Sequence, residues 1–303
     1  LHLLSVARGQ ARRAIDSALT SRYKGRSIRH PGPSPKLMHV SLIAPLCALL
    51  YLAATGLHLL HASEREQRLG RGVLVLALLA LTLHGAIAWI TVVGPGGIHL
   101  GFFKISALMF LVINVACISS LIRRPLQNLL VALFPLSALS VLVSTFAPDT
   151  AAVETHLGGG MLLHIGSSIF AYAVLTLAAV QSAVLALQDH QLKTRHTRGL
   201  VQILPPLQLM ENMLFELLWI GVILLTVAIM SGFLFVDDIF AQHLVHKTVL
   251  TILAWVLFST LLWGHYQLGW RSTTAVRLTL LGFGLLMLAF FGSKLVLELI
   301  LQR

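Results

Sequence analysis

Charged side chains are scarce in this chain: Asp, Glu, Lys and Arg make up 11% of 303 residues, against 57% hydrophobic ones. So little polar surface cannot clothe a soluble core, which excludes an ordinary water-soluble domain. Cysteine is nearly absent as well. Cys47 and Cys117 each sit inside an apolar run and form neither a Cys-x-x-Cys pair nor a Cys-x-x-Cys-His motif. A transmembrane thiol reductant and a covalent haem attachment point are thereby excluded, and both cysteines read as small apolar packing residues. The chain also lacks a phosphate-binding glycine loop, an HExxH motif, and any Ser, His and Asp set that would meet in one site. Catalysis is not expected. No repeat of fixed period is visible, which weighs against an inverted-repeat transporter.

What the chain does have is apolar length. Its mean hydropathy is +0.86, and apolar runs occupy 39–61, 73–93, 103–122, 127–147, 161–187, 213–235, 247–269 and 277–299. A span needs about 20 residues, and a backbone in lipid must bond to itself. The expected fold is therefore all-α, a polytopic transmembrane helix bundle of about eight spans with the lipid bilayer as its main partner. The net charge of +11 does not indicate nucleic acid, because the cations sit in short interhelical loops. Arg65, Arg68 and Arg71 follow the first span, Arg123 and Arg124 the third, Lys193, Arg195 and Arg198 the fifth, and Arg271 and Arg277 the seventh. These loops are expected to face the cytoplasm. The alternate loops carry GPGGIHLG, then Asp149, Glu154 and His156, then Asp237, Asp238 and His243, and are expected to face outward.

Residues 1–37 break this pattern. Arg8, Arg12, Arg13, Arg22, Lys24, Arg26, Arg29 and Lys36 would form a basic tail on the outer side. They read as a disordered or non-native extension preceding a natural start at Met38, leaving 38–303 as the integral membrane domain. The rival reading is a basic arm on the anionic inner surface, with the first span inverted or not crossing. The longest internal loop, 188–212, contains Pro205 and Pro206, which stop a helix from running through. It is the expected contact surface for a membrane or cytoplasmic protein partner.

Ionisable groups inside spans are costly and carry a functional hypothesis by default. Neutral histidine is the least costly and is the usual axial ligand of haem iron. The candidates are His58 and His61 in the first span, His84 in the second, His164 in the fifth, and His246 and His265 at the two ends of the seventh. With a rise of about 1.5 Å per residue, His164 and His246 share the outer level. His265 lies about 27 Å deeper than the outer end of its helix and matches His58, while His84 falls between the two levels. The alternative for each is a hydrogen bond to a neighbouring helix. His99, His156 and His243 rim the outer side, and Glu216, Lys294 and Glu298 read as interfacial anchors. Trp263, Tyr266 and Trp270 gather round His265, where they suit either a membrane interface or the wall of a flat ligand.

Three blocks carry a likeness: MLLHIGSSIFAYAVLTLAAVQSAVLAL at 161–187, LPPLQLMENMLFELLWIGVILLTVAIMSGFLF at 204–235, and HKTVLTILAWVLFSTLLWGHYQLGW from 246. Together they resemble the CcsA/CcmC-type cytochrome c assembly family, and within it the YpjD/HemX-like branch of bacterial inner-membrane proteins. The likeness is strongest over 160–300; the LHGAIAW segment round His84 fits more loosely. The resemblance implies a multi-pass protein of the bacterial inner (cytoplasmic) membrane with haem as cofactor, His164 as the external iron ligand and His265 as the counterpart of an intramembrane ligand. His84, His246 or His58 would complete the coordination. The departures are specific. The family's tryptophan-rich outer motif is replaced by VDDIFAQHLVHK, and its last outer histidine has no match after Lys294. The platform that presents haem to an apocytochrome is therefore missing. Haem binding, a non-catalytic scaffold for a haem-biosynthesis or envelope partner, and a small-solute transporter remain the readings in competition.

Overall fold

The computed structural model describes residues 35–61, 70–94, 97–99, 101–120, 129–147, 153–154, 158–194, 204–235 and 245–292. Among these, eight helices carry the chain: α1 (Pro35–His61), α2 (Arg71–Val92), α3 (Phe102–Ser120), α4 (Leu130–Phe146), α5 (Gly159–Lys193), α6 (Leu207–Phe235), α7 (Val245–Leu268) and α8 (Ser272–Met287), the last continuing as a π-helical turn over Leu288–Gly292. Seven are long and apolar enough to cross a membrane. The exception, α4, has 17 residues, at the lower limit of spanning length.

The order and number of helices match the apolar runs, and the principal difference concerns the connection between the fifth and sixth. There α5 runs on to Lys193 and α6 begins at Leu207, so helix occupies both flanks of the expected 188–212 loop. The two proline residues explain where α6 starts. Pro206 cannot donate a backbone bond, and its carbonyl accepts the Leu209 and Met210 amides of the first turn. Gln188 ties the connection down from α5, its Nε2 donating to the Pro205 carbonyl at 3.0 Å. The remainder of that loop, 195–203, and the basic segment 1–34 lie outside the described residues.

A second difference lies in the loops expected to face outward. The GPGGIHLG loop forms β1 (Val93–Gly94) and β2 (Gly97–His99), and β3 (Val153–Glu154) joins them in a small antiparallel sheet of order β1-β2-β3. Ile98 pairs with Glu154 and His99 with Val153. The loops following α2 and α4 thus meet at one end of the bundle, which we call the ribbon end. The Arg271 turn between α7 and α8 lies at the opposite end, as alternation requires.

Packing divides Val40–Arg303, a single compact unit, into two cores that share α5. Tyr51, Ile87, Ile113, Leu133 and Phe134 centre the first, drawn from α1–α4; Leu175, Leu214, Leu218, Phe258 and Leu286 centre the second, drawn from α5–α8. Of the spanning stretch of α5, 67% is buried, against 22–39% for the other candidate spans, so α5 is the central helix. Small residues let its neighbours approach. A Cβ on Gly221 of α6 would stand 2.5 Å from a Leu175 methyl, the close backbone approach that drives helix association where lipid offers no hydrophobic driving force. Side-chain bonds then lock the helices. Trp255 Nε1 donates to Thr226 Oγ1 at 2.8 Å, joining α7 to α6, and the Tyr172 hydroxyl donates to the Leu286 carbonyl at 3.0 Å, joining α5 to α8.

Candidate functional site

Four helices and the π turn surround a cavity of about 330 Å³ at the ribbon end. Its walls are mainly apolar: Ile105 from α3, Ile165, Ile169 and Tyr172 from α5, Leu225, Ala228, Ile229 and Phe233 from α6, Ile252 from α7, and Ala289 and Phe290 from the π turn. The polar groups are few and converge from α5 and α7: His164, Ser168, Lys247, Thr248 and Thr251. An apolar concavity of this size with a few placed polar groups has the ordinary anatomy of a small-molecule or cofactor site. The π turn contributes Ala289 and Phe290 to the wall, and such turns are frequent at functional sites. Phe290 within it packs against Tyr172, with ring centroids 5.5 Å apart.

His164 is held in a defined state. Its Nδ1 lies 2.8 Å from the Ala228 carbonyl. A carbonyl only accepts, so Nδ1 carries a proton, and in the neutral imidazole Nε2 is the nitrogen with the lone pair. Room for the ring is made by Gly232, one turn further along α6, where a Cβ would stand 3.0 Å from the imidazole Cε1 and 3.1 Å from Nδ1. An imidazole whose outer nitrogen is bound to a backbone carbonyl is oriented and its basicity raised, the arrangement that metal-ligating histidines use.

His265, at the far end of α7, repeats the first half of this arrangement. Its Nδ1 lies 2.8 Å from the Trp270 carbonyl, and one ring face stacks on Phe215 of α6 with centroids 3.5 Å apart. The local chain explains the contact. Gly269 takes a left-handed conformation, φ +67°, which turns the chain back so that Trp270 N–H donates to the Gly264 carbonyl and the indole covers the bare face of Gly264. His265 does not line the cavity; its helix position is roughly 30 Å along α7 from Val245.

The remaining candidates are placed elsewhere. His246 is exposed on α7 and absent from the cavity lining, so the expected outer pair with His164 is not formed there. The helix phase instead turns Lys247, Thr248 and Thr251 inward. His58 is buried on α1, whose neighbouring residues Ala54 and Leu57 belong to the first core. The described contacts of His265 lie with Phe215 and Trp270, and none of them joins it to His58.

His84 is fully buried and lies away from the cavity. Its Nδ1 is 3.1 Å from the Tyr51 hydroxyl, and the two rings meet edge to face. Nearby, Asn114 Nδ2 donates to Ser137 Oγ at 2.6 Å, which donates in turn to the Leu133 carbonyl. His84 Nε2 makes no hydrogen bond of acceptable geometry. The Tyr51 contact ties α2 to α1, the kind of interhelical bond that polar side chains make between membrane helices. Among the described residues no three His, Cys, Asp or Glu side chains form a metal cluster. His156, His243, Lys294 and Glu298 lie outside the described residues.

Sequence reasoning missed Glu211. It is 4% exposed, its Oε1 accepts the Ser272 amide at 3.1 Å, and Arg271 Nε stands 3.6 Å away. Glu211 thus caps α8 and pins the α7–α8 turn to α6. An acid inside MENMLFELL was a visible signal, lost by assigning residue 211 to a loop. Lys247 and Gly232 were also missed. The lysine carried a signal, being a cation on the end of the bundle where cations are rare; the glycine carried none.

Comparison with known proteins agrees with this architecture. The family model described as "Cytochrome C assembly protein" matches residues 43–301. The inner membrane protein YpjD of Escherichia coli K12 is 34% identical over 262 residues, covering 84% of this chain and 99% of that protein. A 28.8 kDa protein encoded in the nifR3-like 5' region of Azospirillum brasilense is 29% identical over 271 residues, 87% of this chain and all of its own length. Protein HemX of Brevibacillus brevis is 29% identical over 157 residues, 50% of this chain and 58% of its own. No solved structure matches the chain. Matched along nearly the whole of its helical length, this multi-pass protein of the bacterial inner membrane belongs to the cytochrome c assembly protein family.

Proposed function

We infer that the chain binds haem at the ribbon end, with His164 as axial ligand. The observation that carries this reading is the placement of His164: an imidazole fixed through Nδ1 by the Ala228 carbonyl, which leaves Nε2 as its ligating nitrogen, in an apolar cavity of about 330 Å³. Haem, when bound, supplies an iron whose axial position takes an imidazole nitrogen. The residues present suit such a group. Ala228 and Gly232 orient the ring and leave it space, Ile105, Ile169, Leu225 and Phe290 supply apolar wall, and Lys247 supplies a cation. Family membership supports the same reading. His265 has the matching Nδ1 bond and is the second candidate ligand; what favours it is that bond, not a cavity. The chain is read as a haem-binding or haem-handling protein.

The test is a reduced-minus-oxidised absorption spectrum with a pyridine haemochrome assay on detergent-purified protein, alongside His164→Ala, His265→Ala and His246→Ala. The expected result is a Soret band in the unsubstituted protein that is lost or strongly shifted in His164→Ala and retained in His246→Ala. Protein that stays haem-free after hemin is supplied would overturn the reading. Weight would then move to a membrane scaffold acting through the segment 188–212, or to transport.

A further inference from the structure

Lys247 of α7 lines the same cavity as His164 of α5. The ribbon end is the outward end by the charge of its loops, and such loops are poor in Lys and Arg. Lys104 and Lys247 are nonetheless described residues at this end. Lys104 lies one residue before a lining residue but does not line the cavity, whereas Lys247 does, as the one cation among the lining residues. On the same face of α7, Thr248 and Thr251 follow at helical spacing and add hydroxyls to the lining. His164 enters from α5 with Ser168 one turn along. The cavity therefore presents a soft nitrogen donor on one helix, a cation with hydroxyls on another, and apolar residues between.

We propose that Lys247 is the residue that selects the anionic edge of the ligand, pairing with a carboxylate of a flat apolar molecule whose centre is held at His164. For haem that carboxylate is a propionate. The proposal rests on the haem reading above and refines it: His164 confers affinity for the metal, and Lys247 confers discrimination between an acidic porphyrin and a neutral one. A primary ammonium on a flexible stem suits this role, since it follows a carboxylate as a point charge without the fixed fork of an arginine. A charge-assisted bond of this kind is worth enough to change affinity by about tenfold.

The experiment titrates the detergent-purified full chain with hemin and with hemin dimethyl ester, in which both propionates are uncharged, and reads affinity from the Soret band. The variants are Lys247→Met, which keeps the stem and removes the charge, Lys247→Arg, which restores a charge, and Lys104→Met as a same-end control. The expected result is that Lys247→Met weakens hemin binding about tenfold with ester binding unchanged. Lys247→Arg recovers part of the loss, and Lys104→Met has no effect. Unchanged ester binding also shows that the variant is folded. Equal weakening for both ligands, no weakening for either, or the same effect from Lys104→Met would overturn the lysine's role while leaving haem binding through His164 in place. If the unsubstituted protein binds neither ligand, the haem reading fails and the role of Lys247 falls with it.

Discussion

Gly232 of α6 lies against the imidazole of His164 of α5, so closely that a methyl group at that position would stand 3.0 Å from Cε1 and 3.1 Å from Nδ1. The absence of a side chain at residue 232 and the orientation of the histidine are one structural fact. The same turn of α6 supplies the Ala228 carbonyl that fixes the ring's proton. A helix with a larger residue at 232 would still pack, but would turn the imidazole away from the position in which Nε2 is available.

Gly232→Ala is therefore expected to displace the ring by a few tenths of an ångström, and Gly232→Val to expel it. On the haem reading, both variants should fold, with Val losing most of the Soret absorbance and Ala showing a shifted or weakened band. Thermal unfolding midpoints and haem content on the same preparations separate the two effects. Normal haem content in Gly232→Val would show that His164 is not the ligand.

His84 and Tyr51 predict the opposite pattern. Tyr51→Phe leaves His84 Nδ1 without its phenol partner and should cost about 1 kcal/mol of stability, the scale of a hydrogen bond between membrane helices. His84→Ala also empties space in a fully buried position and should cost more, about 2 kcal/mol or above. Neither should change haem content. A lost Soret band in a His84→Ala protein that is otherwise folded would restore His84 as a ligand.

Glu211 holds the amide of Ser272 and faces Arg271. Glu211→Ala removes the acceptor and leaves a helix N-terminus uncapped, so we expect a loss of about 1–3 kcal/mol. Glu211→Gln keeps an oxygen for the amide and should lose less. The order Glu, Gln, Ala in unfolding midpoint measured in detergent checks this, and equal stability of Gln and Ala would show that the carboxylate charge, not the cap, carries the effect.

Gly221 tests the central crossing. A Cβ there would stand 2.5 Å from Leu175 Cδ2, so Gly221→Val should force α5 and α6 apart and destabilise by about 1–3 kcal/mol. The paired variant Gly221→Ala with Leu175→Ala should recover part of the loss, because the two side chains compete for one space. No recovery would place the strain elsewhere.

The sequence by itself determined the class of the molecule. With 57% hydrophobic and 11% charged residues, hydropathy and backbone self-bonding leave a transmembrane helix bundle as the solution. Eight apolar runs became eight helices because that period and length are local properties, and Pro206 marked the start of α6 for an equally local reason. Histidine depth was legible too, since it follows from counting residues along a helix. Azimuth was not. Which of His246 and Lys247 turns toward His164 depends on the rotation of α7 against α5 and α6, which packing at Gly221, Trp255 and Tyr172 sets through contacts far apart in sequence. The same holds for His84, whose buried place beside Tyr51 rather than at the cavity is set by another helix. Tertiary structure alone decided that Gly232 and the Ala228 carbonyl frame one histidine, because a bare backbone patch acquires meaning only from the side chain that another helix brings to it.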